Sequence, residues 1–118
     1  MSCSPVPDPT QLASWTDSFQ NIQCYDTLKV NAILNEIDSF NHNRSKKTKV
    51  PAIFGMNFQA VSVGQKLIEA NAGSGGYLDG TGTPSPLLLK EIEFVDAAIG
   101  EWITETAEYE GCLSDQAV

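Results

Sequence analysis

The stretch "GGYLDGTGTPSPLLLKEIEFVD", Gly75 to Asp96, sets one carboxylate, Asp79, among four glycines just ahead of an apolar run. An Asp on a loop at a helix entrance can ligate a hard or borderline cation, and glycines let backbone come close to it. The plainer reading is structural. Asp79-Gly80 is a common turn pair, and glycines permit tight turns. Spacing alone favours the turn, because one carboxylate is not a site and no further ligands lie nearby in sequence. Two phosphate-binding readings fail. No lysine follows the glycines as a P-loop needs, and "TPSP" stands where a dinucleotide fingerprint would open its helix.

Other chemistry-bearing residues are sparse. His42, the single histidine, sits between two asparagines in a polar stretch and reads as surface. Cys24, in "NIQCYD", has no companion histidine at a telling place, and no serine stands in a G-x-S-x-G elbow. The three cysteines, Cys3, Cys24 and Cys112, fit no zinc spacing; they allow one disulfide and a free thiol, or three thiols. "NRS" (Asn43 to Ser45) is a glycosylation sequon, which matters only in an exported chain and often arises by chance.

Composition bounds the rest. The chain has 118 residues, enough for one domain, with 42% hydrophobic residues. Fifteen acids against 7 bases give a net charge of −8, which disfavours binding to nucleic-acid backbones. Arg44, Lys46, Lys47 and Lys49 cluster in "RSKKTK", read as a solvated loop. No apolar run approaches the roughly 18 residues of a membrane span, so no membrane is expected. "MSCSPVPDPT" has neither the basic start nor the apolar centre of a secretory signal.

The elements that must position Asp79 follow from periodicity. Pro5, Pro7 and Pro9 make residues 1–24 an irregular segment. Asp26 is placed to cap a helix over about 27–38, with Val30, Ile33, Leu34 and Ile37 on one face. "VPAIFGMNF" (Val50 to Phe58) suits a buried strand, with Pro51 limited to an early position in it or to an edge. "GQKLIEA" suggests one or two helical turns. Ser85 as N-cap and Pro86 at the first position start a second helix, to about 103–107. Its stripe is Leu88, Ile92, Val95, Ile99 and Trp102 or Ile103. After it, the end carrying Glu105, Glu108, Glu110 and Asp115 loses periodicity. Two helices, one or two short strands and long loops leave a strand without a partner.

"YDTLKVNAILNEID", "KVPAIFGMNFQAVSVGQKL" and "GGYLDGTGTPSPLLLKEIEFVDAAIGE" resemble consecutive blocks of microbial alkaline-phosphatase-like proteins. More narrowly, they resemble the type I phosphodiesterase/nucleotide pyrophosphatase group, over roughly residues 15–103. The resemblance implies an α/β fold, with this chain a partial segment of an α/β/α sandwich. Residues 1–24 would be an N-terminal segment, 25–107 the hydrolase segment and 108–118 an acidic tail. It also implies a phosphoester substrate, two divalent metals, usually zinc, and a Thr or Ser nucleophile. Such enzymes are several times longer. The nucleophile would lie upstream and a histidine-bearing metal motif downstream, so the chain alone should be inactive.

The group carries D-x-x-G-H, whose Asp and His bind metal. Here Asp79 holds the first position, Gly82 the fourth, and Thr83 stands where the histidine would be. Asp79 carries over as a metal ligand; Thr83, a far weaker zinc ligand, does not. Relatives are often exported. The alternative is a non-catalytic interaction or dimerisation module kept from that fold, self-associating through an exposed sheet edge.

Overall fold

The computed structural model describes residues 8 and 10–116, with side chains described as far as Tyr109. Most of the proline-rich start, Cys3, and the side chains of Glu110, Cys112 and Asp115 lie outside the described residues. The chain is mixed α/β and mostly helical, in the order α1 (Leu12–Trp15), α2 (Phe19–Ile37), α3 (Ala60–Gly64), β1 (Ile68–Glu69), β2 (Gly73–Ser74) and α4 (Pro86–Gln116). It divides into two compact units, Met1–Thr27 with Asn57–Val95, and Leu28–Met56 with Asp96–Val118.

In the first unit, α2 starts eight residues before the position expected from sequence. Ser18 is the cap. Its Oγ accepts from Asn21 N at 3.3 Å and its carbonyl from Ile22 N at 3.0 Å. Glu69 Oε2, on β1, accepts from another first-turn donor, Phe19 N, at 3.4 Å. Residues 12–24 are therefore largely helical rather than irregular. Asp26 lies inside α2 and does not cap it.

β1 and β2 pair antiparallel, Ile68 with Ser74 and Glu69 with Gly73. This hairpin occupies part of the stretch expected to be helical; only Ala60–Gly64, just before it, forms α3. Gly75 then runs against α3, donating to Leu67 O at 2.8 Å, and Gly76 donates to Gly64 O at 2.9 Å. A Cβ on Gly75 would stand 1.8 Å from the Gly64 carbonyl oxygen, so only glycine fits there. Phe58 and Phe94 meet edge to face at 6.5 Å, joining the start of α3 to α4.

In the second unit, residues 50–56 are irregular and the expected strand at 50–58 does not form. No neighbouring strand is there to complete its ladder, and Ile53 is 87% exposed. The polar stretch after α2 folds back on itself through a bridge between Phe40 and Lys47. Trp102 Nε1 donates to Val30 O at 3.3 Å, and the Ser39 and Tyr109 hydroxyls lie 2.7 Å apart.

The start of α4 matches expectation, since Ser85 Oγ accepts from Leu88 N at 3.1 Å. Two features differ. The helix continues to Gln116 instead of ending near 103–107. Its inward stripe runs through Leu88, Glu91, Val95, Ala98 and Trp102, while Leu89, Ile92, Ile99 and Ile103 face outward and are exposed. Spacings of three and four thus give this helix a second apolar stripe, offset from the buried one.

Candidate functional site

Asp79 sits at the tip of a closed loop. The base is pinned by Ser85 N donating to Gly76 O at 2.8 Å, with a bridge between Tyr77 and Pro84. Leu78 N donates to Thr83 O at 2.7 Å across the middle. Within that frame Asp79 Oδ1 accepts from the Thr81 hydroxyl at 2.7 Å, from Thr81 N at 3.0 Å and from Thr83 N at 3.2 Å. The Thr81 hydroxyl, then Thr83, hold the carboxyl well below the usual carboxylate range. Asp79 is therefore an anion at any working pH. The side chain organises its own turn through Oδ1.

A metal needs convergent ligands, and among the described residues no group of three or more His, Cys, Asp or Glu side chains converges. Asp79 is by itself one ligand of the three or four that a zinc site uses. Thr83, in the histidine position of the motif, serves the loop through its backbone N–H. His42 is exposed in the polar turn, where its carbonyl accepts from Asn35 Nδ2 at 2.8 Å.

The structure brings together two acids that sequence reasoning did not place in the core, Asp26 having been read as a helix cap. Asp26 and Glu91 are both buried in the first unit, 0% and 1% exposed. Asp26 Oδ2 accepts from Gln59 N and Ala60 N, both at 2.8 Å, and so caps α3 from a distant helix. α3's own N-cap residue, Gln59, supplies no side-chain bond. Glu91 Oε1 accepts from Gln23 Nε2 at 2.9 Å, while its buried Oε2 has no partner among the described residues. Burial is the main cause that pushes Glu91 up from 4.5 to about 7, and the nearby charge of Asp26 adds to it; the Gln23 amide pulls the other way. Oε2 is the natural seat of the proton.

A signal for both acids exists in the sequence. Phe19, Ile22, Asp26, Val30, Ile33 and Ile37 are spaced by threes and fours, so Asp26 occupies a core position of α2. Leu88, Glu91, Val95, Ala98 and Trp102 do the same in α4. Glu91 also packs against Gly64, whose missing side chain makes room for it: a Cβ there would lie 2.9 Å from Glu91 Cγ. A shallow groove beside it is lined by Phe19, Gln20, Gln23, Leu87 and Lys90. With one acid engaged as a cap and the other bonded to Gln23, the pair fixes α2, α3 and α4 around the base of the Asp79 loop.

Cys24 is buried in α2 and disulfide-bonded, which resolves the cysteine alternatives in favour of a disulfide. It is thereby excluded as a free nucleophile. No helix among the described residues is long and apolar enough to cross a membrane.

The chain matches no family model, no curated protein and no solved structure.

Proposed function

We propose that this chain is a framework segment of a metal-dependent phosphoester hydrolase of the phosphodiesterase/nucleotide pyrophosphatase kind. In this reading it belongs to an α/β/α sandwich, presents Asp79 toward a metal centre, and supplies no attacking group. Asp79 contributes one permanently ionised oxygen, Oδ2, while Oδ1 holds the loop. The remaining ligands and the nucleophile come from other segments. The chain alone turns over no phosphoester.

The observation that carries the reading is the outward stripe of α4. Leu89, Ile92, Ile99 and Ile103 are exposed on a helix that already buries Leu88 and Ala98 on another face. A helix apolar on two sides is normally covered on both. Fully burying one such side chain from water is worth about 1.5–3 kcal/mol, and covering these four, 39% to 66% exposed, would gain part of that at each. In an α/β/α sandwich the helices lie on the outside of the sheet, so a sheet can cover the outward stripe while the other elements of this chain cover the inward one.

The same stripe favours a second reading, a non-catalytic module that covers the face with a partner. Two-residue strands offer too short an edge for pairing, so association would use α4 instead.

The two readings separate in solution. Zinc is titrated calorimetrically into the purified chain and its Asp79→Asn variant, with a chromogenic phosphodiester assay and sedimentation in parallel. The framework reading expects weak zinc uptake that the variant loses, no turnover and no defined oligomer. Turnover by the chain alone overturns it. A stable dimer without zinc uptake selects the module.

A further inference from the structure

We propose that Asn43 is an N-glycosylation site and that the chain passes through an oxidising compartment supplied with a lipid-diphosphate-linked oligosaccharide. This stands on observations separate from the proposed hydrolase relationship, and either can fail without the other.

The sequon Asn43-Arg44-Ser45 lies at the tip of the turn that follows α2. The turn is closed at its base by Asn41 N donating to Lys46 O at 2.9 Å and Thr48 N donating to Ser39 O at 2.9 Å. Its side is braced by Arg44, which pairs with Asp38 at 3.2 Å and lies over the Phe40 ring at 4.2 Å. Asn43 itself is exposed. Its Oδ1 accepts from the Ser45 hydroxyl at 2.7 Å and from Ser45 N at 3.2 Å, while Nδ2 has no hydrogen-bond partner among the described residues. A sugar on Nδ2 would therefore break no contact and would project into solvent.

The compartment is indicated independently. Cys24 is disulfide-bonded, and disulfides form and persist where the surroundings are oxidising. Sequons acquire glycans in exported chains, which are the chains that meet such surroundings. A sequon alone is a common accident; this one is exposed, has a free amide nitrogen and lies in a chain whose Cys24 is disulfide-bonded.

In the transfer, Nδ2 bonds to the anomeric carbon of the sugar. The bond from that carbon to the lipid diphosphate breaks, and its electron pair leaves with the diphosphate. Nδ2 gives up one of its two protons, which ends on the released lipid diphosphate or in the solvent. No oxidant or reductant is needed. Ser45 acts as a positioning residue, because its hydroxyl draws negative charge onto Oδ1 and so eases the loss of that proton.

The test uses the native chain recovered from its source cells and medium. Intact mass is read before and after peptide-N-glycosidase, which converts a glycosylated Asn into Asp, and free thiols are counted without reduction. The expected result is a drop in mass on treatment, Asp found at position 43, and one free thiol among the three cysteines. Asn43→Gln and Ser45→Ala, expressed in the same cells, should abolish the mass shift, and Ser45→Thr should retain it. Unmodified Asn43 in a chain whose Cys24 is disulfide-bonded overturns the proposal. So do three free thiols, or a mass shift that survives Asn43→Gln.

Discussion

Replacing Glu91 by Gln removes one titrating proton from the core and leaves the shape nearly unchanged. The Gln carbonyl can still accept from Gln23 Nε2, and its amide NH2 takes the place of the protonated Oε2. The carboxyl is raised from 4.5 to about 7 in the folded chain, chiefly by burial. Each tenfold change in proton affinity is worth about 1.4 kcal/mol, so folding with the proton in place is favoured by about 3 kcal/mol over folding with the charge. The folded state binds the proton more tightly than the unfolded state, so it gains at low pH. The contribution is complete below pH 4.5, is lost as pH rises from 4.5 to about 7, and is level above that. Asp26, Gln23 and Gly64 face Glu91, and Lys90 lines the adjoining groove; none removes the cost of the buried charge. Glu105, raised first through a hydrogen bond with Asp38, acts in the same sense and remains in the variant as an internal control. Asp8 and Asp79 are lowered below 3.8, so they work in the opposite sense and below this window. Urea unfolding followed by tryptophan fluorescence, from pH 4.5 to 8, reads the effect. The native chain should lose about 3 kcal/mol across the window, and Glu91→Gln should lose much less and be the more stable of the two at pH 8. A native chain equally stable at pH 4.5 and pH 7.5, or a variant with the same slope, refutes the reasoning.

Gly75→Ala drives a methyl group into the Gly64 carbonyl and should cost about 1–3 kcal/mol or more, seen as a lower unfolding midpoint. Asp26→Ala leaves the Gln59 and Ala60 donors buried and unpaired; a loss of about 2–5 kcal/mol is expected, with faster amide exchange at both residues, whereas Asp26→Asn should lose less. Asp79→Ala should speed amide exchange at Thr81 and Thr83 without moving the unfolding midpoint much, because those bonds are exposed. Ile92→Lys with Ile99→Lys should reduce binding of an apolar fluorescent dye while leaving the helix content unchanged; unaltered dye binding would mean that the outward stripe of α4 is not the sticky surface.

The parts legible from sequence were those with a local chemical signature. Ser85 followed by Pro86 marked the start of α4 because a cap and a proline act within one turn. The start of α2 was hidden by the prolines before it, although Ser18 carries the same kind of signal. Leu88, Val95 and Trp102 of the expected α4 stripe do face inward, but Ile92 and Ile99 belong to a second apolar stripe, and Glu91, which looks like a surface acid, takes an inward place. β1 and β2 are two residues long and carry no periodicity. Val50 to Phe58 has strand composition, but a strand needs a neighbour, and composition does not supply one. Asp79 was legible as a turn-former. Asp26 and Glu91 stand at core spacing in their helices, but an acid at such a place reads as surface until the backbone donors, the amide and the glycine brought from other elements are known.

The account depends most on the chain being a framework piece of a larger metallohydrolase. Reading the coding sequence on both sides of this segment tests that directly. In-frame codons for a Thr- or Ser-bearing nucleophile segment upstream, and for a histidine-bearing metal motif downstream, are predicted. Stop codons closing the frame at both ends, in a chain that unfolds as a sharply cooperative monomer, would contradict it.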